Sequence, residues 1–364
     1  MIITGIFTET FLYLCFSLLI GAFLLSLVPF QSKPDIKVPK GVLMAATGGI
    51  AVFSFVPVLQ LILYLYQDVG LGQTFQSVIF TFEVGKAWVV TYLLSNLLFI
   101  YIIWFDYRSK RFYALVGVFI TFIMILALGW SSHASSLDQW KGFIAHSVHF
   151  TAVSIWIGVL ITVSWFSKNS HNWLNFLKWF TPVALMCLMI TIGTGLVLMA
   201  FVVDFKDYAN SWMVPYGQAL LIKHLLILPL VVYAGVNSVL IKRKLKTDAE
   251  FNPVPWTRIE SAVILLIFAA TAALGQQSPP HDIEMTVKSG VSKLFAMFYQ
   301  GQIDSALPVQ MTVNITGISL GVVAFLFLAL TVLSYIKRSS AALSFLMSIL
   351  FVVSTYLSLL LSIK

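Results

Sequence analysis

The sequence predicts an all-α polytopic membrane bundle of about ten transmembrane helices. Three observations predict it. Ten long apolar stretches interrupt the 364-residue chain. Hydrophobic residues make up 59% and charged residues only 10% of it, with a mean hydropathy of +0.94; a soluble domain carries about 25% charged residues. The runs also lack strand-like alternation and far exceed the length of a barrel strand.

A span needs about 20 apolar residues. The runs place spans at 6–29, 41–66, 83–105, 112–130, 142–166, 174–203, 215–241, 257–275, 309–336 and 341–363. Backbone groups in lipid must bond within their own segment, so each run reads as a helix. The first run carries Glu9 and no basic leader and is long enough to span, so it reads as a helix rather than a cleavable signal. The fourth and fifth flank a short loop, Gly129 to Asp138. Lys223 lies about eight residues into the seventh, or roughly 12 Å. The eighth opens with Arg258 and Glu260. Before the ninth runs a long loop, Gln276 to Pro308, holding Pro279-Pro280-His281 and an amphipathic patch from Val291 to Tyr299 suited to a membrane surface. The expected domains are an eight-span core over 1–281, an extracytoplasmic loop over 282–308 with an interfacial helix, and a two-span C-terminal extension over 309–364. The last two spans hold no His, Asp, Glu or Cys, and read as packing rather than chemistry.

The net charge of +8 concerns topology, not nucleic acid. Lys33, Lys37, Lys40, Arg108, Lys110, Arg111, Lys168, Lys242, Arg243, Lys244, Lys246, Lys337 and Arg338 fall in the odd-numbered loops; the even ones hold Lys141, Lys206, Lys288 and Lys293. The positive-inside rule then makes the odd loops cytoplasmic and both termini extracytoplasmic. Loop seven, Lys242 to Pro255, faces anionic lipid headgroups. Cys15 and Cys187 lie inside spans and imply no disulfide framework.

Chemistry is expected near the fourth and fifth spans, where His133, His146 and His149 lie together; the other histidines are scattered. Ionisable groups at a membrane are costly and mark function. His146 and His149 are three apart and share a helix face, and the loop bearing His133 is short enough to fold back over the helix entry. Three imidazoles converging there would suit a borderline or soft ion such as copper. The competing reading is that each hydrogen-bonds within the bundle. Glu83 and Lys86 are also three apart: they either pair with each other or place a carboxylate at the mouth of the same site. Lys223 needs a partner, with Glu83 or a bound anion as candidates. His224 points about 100° away from Lys223. Met186, Cys187 and Met189 offer soft ligands in the sixth span, or simply fill an apolar core. Asn237 and Glu260 read as interhelical glue.

No GxxxxGK[ST] nucleotide loop, P-type ATPase segment, HExxH or GxSxG occurs, so catalytic residues are not expected.

Several blocks resemble the copper resistance protein D (CopD) family. Ser132-His133-Ala134 is similar to its SGHA segment. His149 to Leu160 resembles H-x6-W-x-G-G-L, with Val159 at the second glycine. Thr194-Gly195 fits the sixth-span TG. Trp212 to Lys223 resembles t-x-Y-G-x-x-L-x-x-K, Asn237 its helical asparagine, and Arg258-x-Glu260 with Pro279-Pro280 the eighth span and its end. The resemblance covers roughly 1–281 and bears on His133, His149 and Lys223; His146 rests on spacing. It implies copper movement across a bacterial cytoplasmic membrane, usually inward, with a CopC-like extracytoplasmic copper carrier as partner. This chain shows two further spans where some relatives fuse that carrier. Two alternatives remain from the residues. One is a haem b electron carrier, with His146 or His149 and His224 as axial ligands. The other is a scaffold assisting copper loading of a respiratory oxidase.

Overall fold

The computed structural model describes residues 2–248, 250–280, 283–299 and 309–363. Its regular elements are helical; among the described residues there is no strand, only the isolated bridges Ile36 with Ser167 and Met311 with Ile363. Ten helices among them are long and apolar enough to cross a membrane: α1 Ile2–Leu27, α2 Lys40–Asp68, α3 Glu83–Trp104, α4 Arg111–Trp130, α5 Gln139–Phe166, α6 Trp173–Ala200, α7 Pro215–Thr247, α8 Val254–Gly275, α9 Ile315–Ile336 and α10 Ala341–Leu361. The protein is thus an all-α, multi-pass membrane protein.

The ends of the helices differ from the sequence bounds where caps decide them. α5 starts at Gln139 rather than 142 because Asp138 caps it, accepting from the Lys141 amide at 3.2 Å. α9 starts at Ile315 rather than 309 because Asn314 Oδ1 accepts from the Gly317 amide at 2.6 Å. α2 is broken by a turn at Ser54–Phe55, just before Pro57, which has no N–H to give the helix.

The chain forms two compact units, residues 1–201 with 245–254, and 202–244 with 255–364. In the first, α1 is the central helix and packs on α2, α4 and α5. Its crossing with α5 is a backbone contact. A Cβ on Gly21 would lie 2.0 Å from the Gly158 carbonyl oxygen, and one on Gly158 would lie 2.1 Å from that of Ser17. Small residues permit such close packing in a membrane, where lipid removes the hydrophobic drive between helices. This accounts for Gly158 in the Trp-x-Gly block: it is a packing residue. Phe16, Leu19 and Phe23 fill the core on either side of the crossing.

In the second unit, α9 and α10 pack along each other, and α10 also meets α7. The Tyr356 hydroxyl donates to Gln218 Oε1, and Tyr233 lies 3.0 Å from the Ser344 hydroxyl. α10 is therefore tied to α7 by buried polar bonds, and α9 packs along α10. The expected surface patch holds a short helix, Lys293–Phe298, preceded by Ile283–Ser289. Phe295 is buried, and the Ser292 amide donates to the Met213 carbonyl at 2.8 Å. His281 lies outside the described residues.

Candidate functional site

The loop between α4 and α5 folds back as its length predicted. Ser132 caps a one-turn helix, His133–Leu137. The Ser135 hydroxyl donates to the Gly129 carbonyl at 2.6 Å. Gly142 lets this turn lie on α5, since a Cβ there would sit 2.0 Å from the Ala134 carbonyl oxygen. Asp138 is held below the usual carboxylate range by its hydrogen bonds to the Lys141 ammonium and amide. His133 is exposed on this turn.

His149 lies about 15 Å down α5 at 1.5 Å per residue. Its Nδ1 is 3.0 Å from Thr194 Oγ1 on α6. Thr194 gives its one hydroxyl proton to the Ile190 carbonyl, 2.6 Å away. Its oxygen is therefore the acceptor, and His149 carries its proton on Nδ1. The lone pair of the ring is then on Nε2, one of the two nitrogens through which an imidazole can bind a metal. Gly195 flanks the ring, and a Cβ there would touch His149 Cε1 at 3.5 Å. Two blocks far apart in sequence, His149 and Thr194-Gly195, thus form one arrangement.

One turn earlier on the same face, the His146 ring lies 6.3 Å from that of Phe150. Phe150 is in turn packed edge-on by Tyr13 and Phe16 of α1, at 5.5 and 5.3 Å. The Tyr13 hydroxyl donates to Glu9. The α1 pair Glu9 and Tyr13 therefore borders the histidine-bearing stretch. Sequence reasoning weighed Glu9 only against a signal peptide. Its only available signal was the cost of a carboxylate in an apolar run.

Glu83 and Lys86 pair with each other at 3.0 Å, the simpler of the two readings. Glu83 also accepts from the Trp130 indole at 2.7 Å, which ties the start of α3 to the end of α4.

In the second unit, no ion pair involves Lys223 among the described residues. His224 Nδ1 is 2.7 Å from the Tyr208 hydroxyl. Burial pushes the Tyr208 phenol above its ordinary value, so it stays protonated and available to donate. This contact fixes the orientation of the His224 ring against the loop before α7. Asn237 lies in a π-helical turn of α7, Val236–Leu240, and donates to Glu260 on α8 at 2.6 Å. This interhelical bond was anticipated as glue.

The soft-ligand triplet does not converge. Cys187 is buried at 3% exposure, whereas Met186 and Met189 are 57% and 68% exposed. Adjacent positions on a helix lie about 100° apart.

Among the described residues, no three His, Cys, Asp or Glu side chains gather as a group able to hold a metal ion. His133, His146 and His149 share one end of the bundle but do not close into a single ligand set. His133 rides on its own exposed turn, while the His149 ring is drawn toward α6. No observation favours the haem reading, and the Tyr208 hydroxyl occupies the Nδ1 side of His224.

Residues 3–143 match the copper resistance protein D-like N-terminal domain, and residues 174–274 match copper resistance protein D. His133 lies in the first match; Thr194, Lys223, His224, Asn237 and Glu260 lie in the second; His146 and His149 fall between them. The copper transport protein CutJ of Bacillus subtilis (strain 168) is 25% identical over 288 residues, covering 74% of this chain and 52% of CutJ. The chain thus spans about half the length of this curated relative. No solved structure matches the chain. Since the two matches together run from α1 to α8, the chain belongs to the copper resistance protein D family.

Proposed function

We propose that the protein carries copper across a bacterial cytoplasmic membrane, inward, through a histidine site at the extracytoplasmic side, and is not an enzyme. Copper is the cargo. The observation that carries this reading is the His149–Thr194 contact. A metal-binding imidazole characteristically donates its other N–H to a fixed acceptor, which sets the tautomer and the ring's aim. Thr194 is such an acceptor, and it fixes the tautomer and the aim of the His149 ring.

On this reading, His133 meets the ion first, from its exposed turn. His146 and His149 then receive it on one face of α5. Two neutral imidazoles hold a soft or borderline ion less tightly than a closed three- or four-ligand cage, which suits a site that must release what it binds. With no nucleotide motif in the chain, entry runs downhill or is driven by an ion gradient. The inward-negative potential favours a cation by about 2.3 kcal/mol per charge per 100 mV. The orientation follows from the basic residues in the odd loops. A CopC-like carrier would deliver copper on the side where His133 is exposed.

The test is radioactive copper uptake by cells producing His149→Ala at the same membrane level as the unaltered protein. Uptake should fall to the level of cells without the protein. Undiminished uptake would overturn the assignment. Copper content of the purified protein, compared with that of a His133→Ala/His149→Ala variant, checks binding separately from flux.

A further inference from the structure

We infer that Glu260, with Asn237 as its partner, is a proton-binding site inside the membrane, and that it loads and unloads a proton as the protein works. It lies on elements distinct from those carrying the histidines. As a source of coupling for copper it rests on the transport reading above; as a proton site it does not.

Glu260 is 3% exposed and Asn237 5%. Glu260 lies about 9 Å into α8 at 1.5 Å per residue. A carboxylate in such a place is costly unless an ion pair or several donors hold it. Its bond comes from a neutral amide: Asn237 Nδ2 donates to Glu260 Oε2 at 2.6 Å. The same amide also reaches the Trp256 carbonyl, at the 3.5 Å limit. Charged and titratable groups on the surrounding elements include Arg258 on α8, Tyr233 one turn before Asn237 on α7, Lys242, Arg243 and Lys244 beyond the π turn, and, on the helix that packs against Trp256, Tyr335, with Lys337 and Arg338 just past its end. Among the described residues none of them forms an ion pair with Glu260.

The chemistry of the partner is what selects a proton. A lysine or arginine would lock the carboxylate in its charged form. An amide serves both forms. The carboxylate accepts from Nδ2. Once protonated, the carboxyl can donate its O–H to Asn237 Oδ1 after the amide turns over. That Oδ1 is buried without a hydrogen-bond partner among the described residues, so turning it toward the carboxyl breaks no bond that it makes now. The proton binds one carboxylate oxygen and leaves from it, with no other bond made or broken.

Local backbone supports a working site rather than inert glue. Asn237 lies in a five-residue π-helical turn, Val236–Leu240, inside a long α-helix. Such turns are costly and recur at functional sites. Ionisable groups buried in membrane helices mark proton relays and coupling sites.

The experiment is infrared spectroscopy of the purified full-length protein in detergent across a pH series, following the C=O stretch of protonated carboxyl groups. The expected result is a band that appears as pH falls and is lost in Glu260→Gln. In Asn237→Leu the band should persist and its midpoint should move to higher pH, because the donor to the carboxylate is gone. A Glu260-dependent band that is constant at every pH, or no such band at any pH, overturns the proposal. Glu260→Asp serves if the glutamine variant does not fold. A second measurement uses proteoliposomes with a trapped pH dye and added copper. Loss of copper-linked proton movement in Glu260→Gln, with downhill copper uptake retained, supports coupling. Unchanged proton movement overturns it. If the unaltered protein moves no copper at all, the transport reading fails, while the spectral series still decides the proton site.

Discussion

His149 on α5 and Thr194 on α6 meet at 3.0 Å, and the Thr194 hydroxyl donates its hydrogen bond to the Ile190 carbonyl. This pair of contacts assigns the proton of the imidazole to Nδ1 and its lone pair to Nε2. The contact joins two stretches of sequence that do not resemble each other and have no common spacing.

Thr194→Val removes the acceptor while keeping the side-chain shape. Copper affinity should fall by about 10- to 100-fold, the usual cost of losing the group that orients a metal-binding histidine. Thr194→Ser should restore most of it. Calorimetric titration with copper measures both. Equal affinity in the valine variant would show that the contact is packing alone.

Gly21→Ala should destabilise the first unit, by about 1–3 kcal/mol or more, because its methyl would fall 2.0 Å from a backbone oxygen that cannot turn aside. Gly195→Ala should be close to neutral, since its methyl would make an ordinary 3.5 Å contact with His149. Thermal unfolding in detergent distinguishes them. Similar midpoints for the two variants would argue against a backbone crossing of α1 and α5.

Tyr356→Phe leaves buried Gln218 without the phenolic donor from α10. The cost of stranding such an acceptor is about 1–3 kcal/mol. Loss of stability without loss of copper uptake would mark the last two spans as structural, as their apolar composition predicts. The readouts are a melting curve and an uptake assay on the same preparation.

Asp138 caps α5 as a carboxylate held below its usual value by Lys141. Its contribution is therefore complete above the ordinary aspartate value of about 4 and is lost as pH falls through the lower, folded value. Asp138→Asn keeps a capping oxygen and should remove this pH dependence. Thermal midpoints measured from about pH 6 down to pH 3 check it: the unaltered protein should lose more stability than the variant over that interval.

Much of the fold was legible in the chain because a bilayer imposes one-dimensional rules. Length, apolar content and loop charge locate helices without any knowledge of their partners, and the span ends came within a few residues except at the start of α9, which Asn314 caps, and at the end of α7, which runs on to Thr247. The Glu83–Lys86 pair was legible for the same reason, being local to one helix. The histidine arrangement was only partly legible. Spacing places His146 and His149 on one face, but it says nothing of what that face meets. Met186 and Met189 illustrate the limit: they lie within two residues of the buried Cys187 in sequence, yet both are exposed.

Sequence alone determined the membrane class, the number of spans, their expected orientation and the stretch in which ionisable groups are concentrated, because each depends on composition along a single helix. Tertiary structure decided that His149 answers to Thr194, that Glu260 answers to Asn237, and that α1 touches α5 at Gly21 and Gly158. These are contacts between helices, and no periodicity within one helix encodes the face, depth or tautomer that its neighbour will impose.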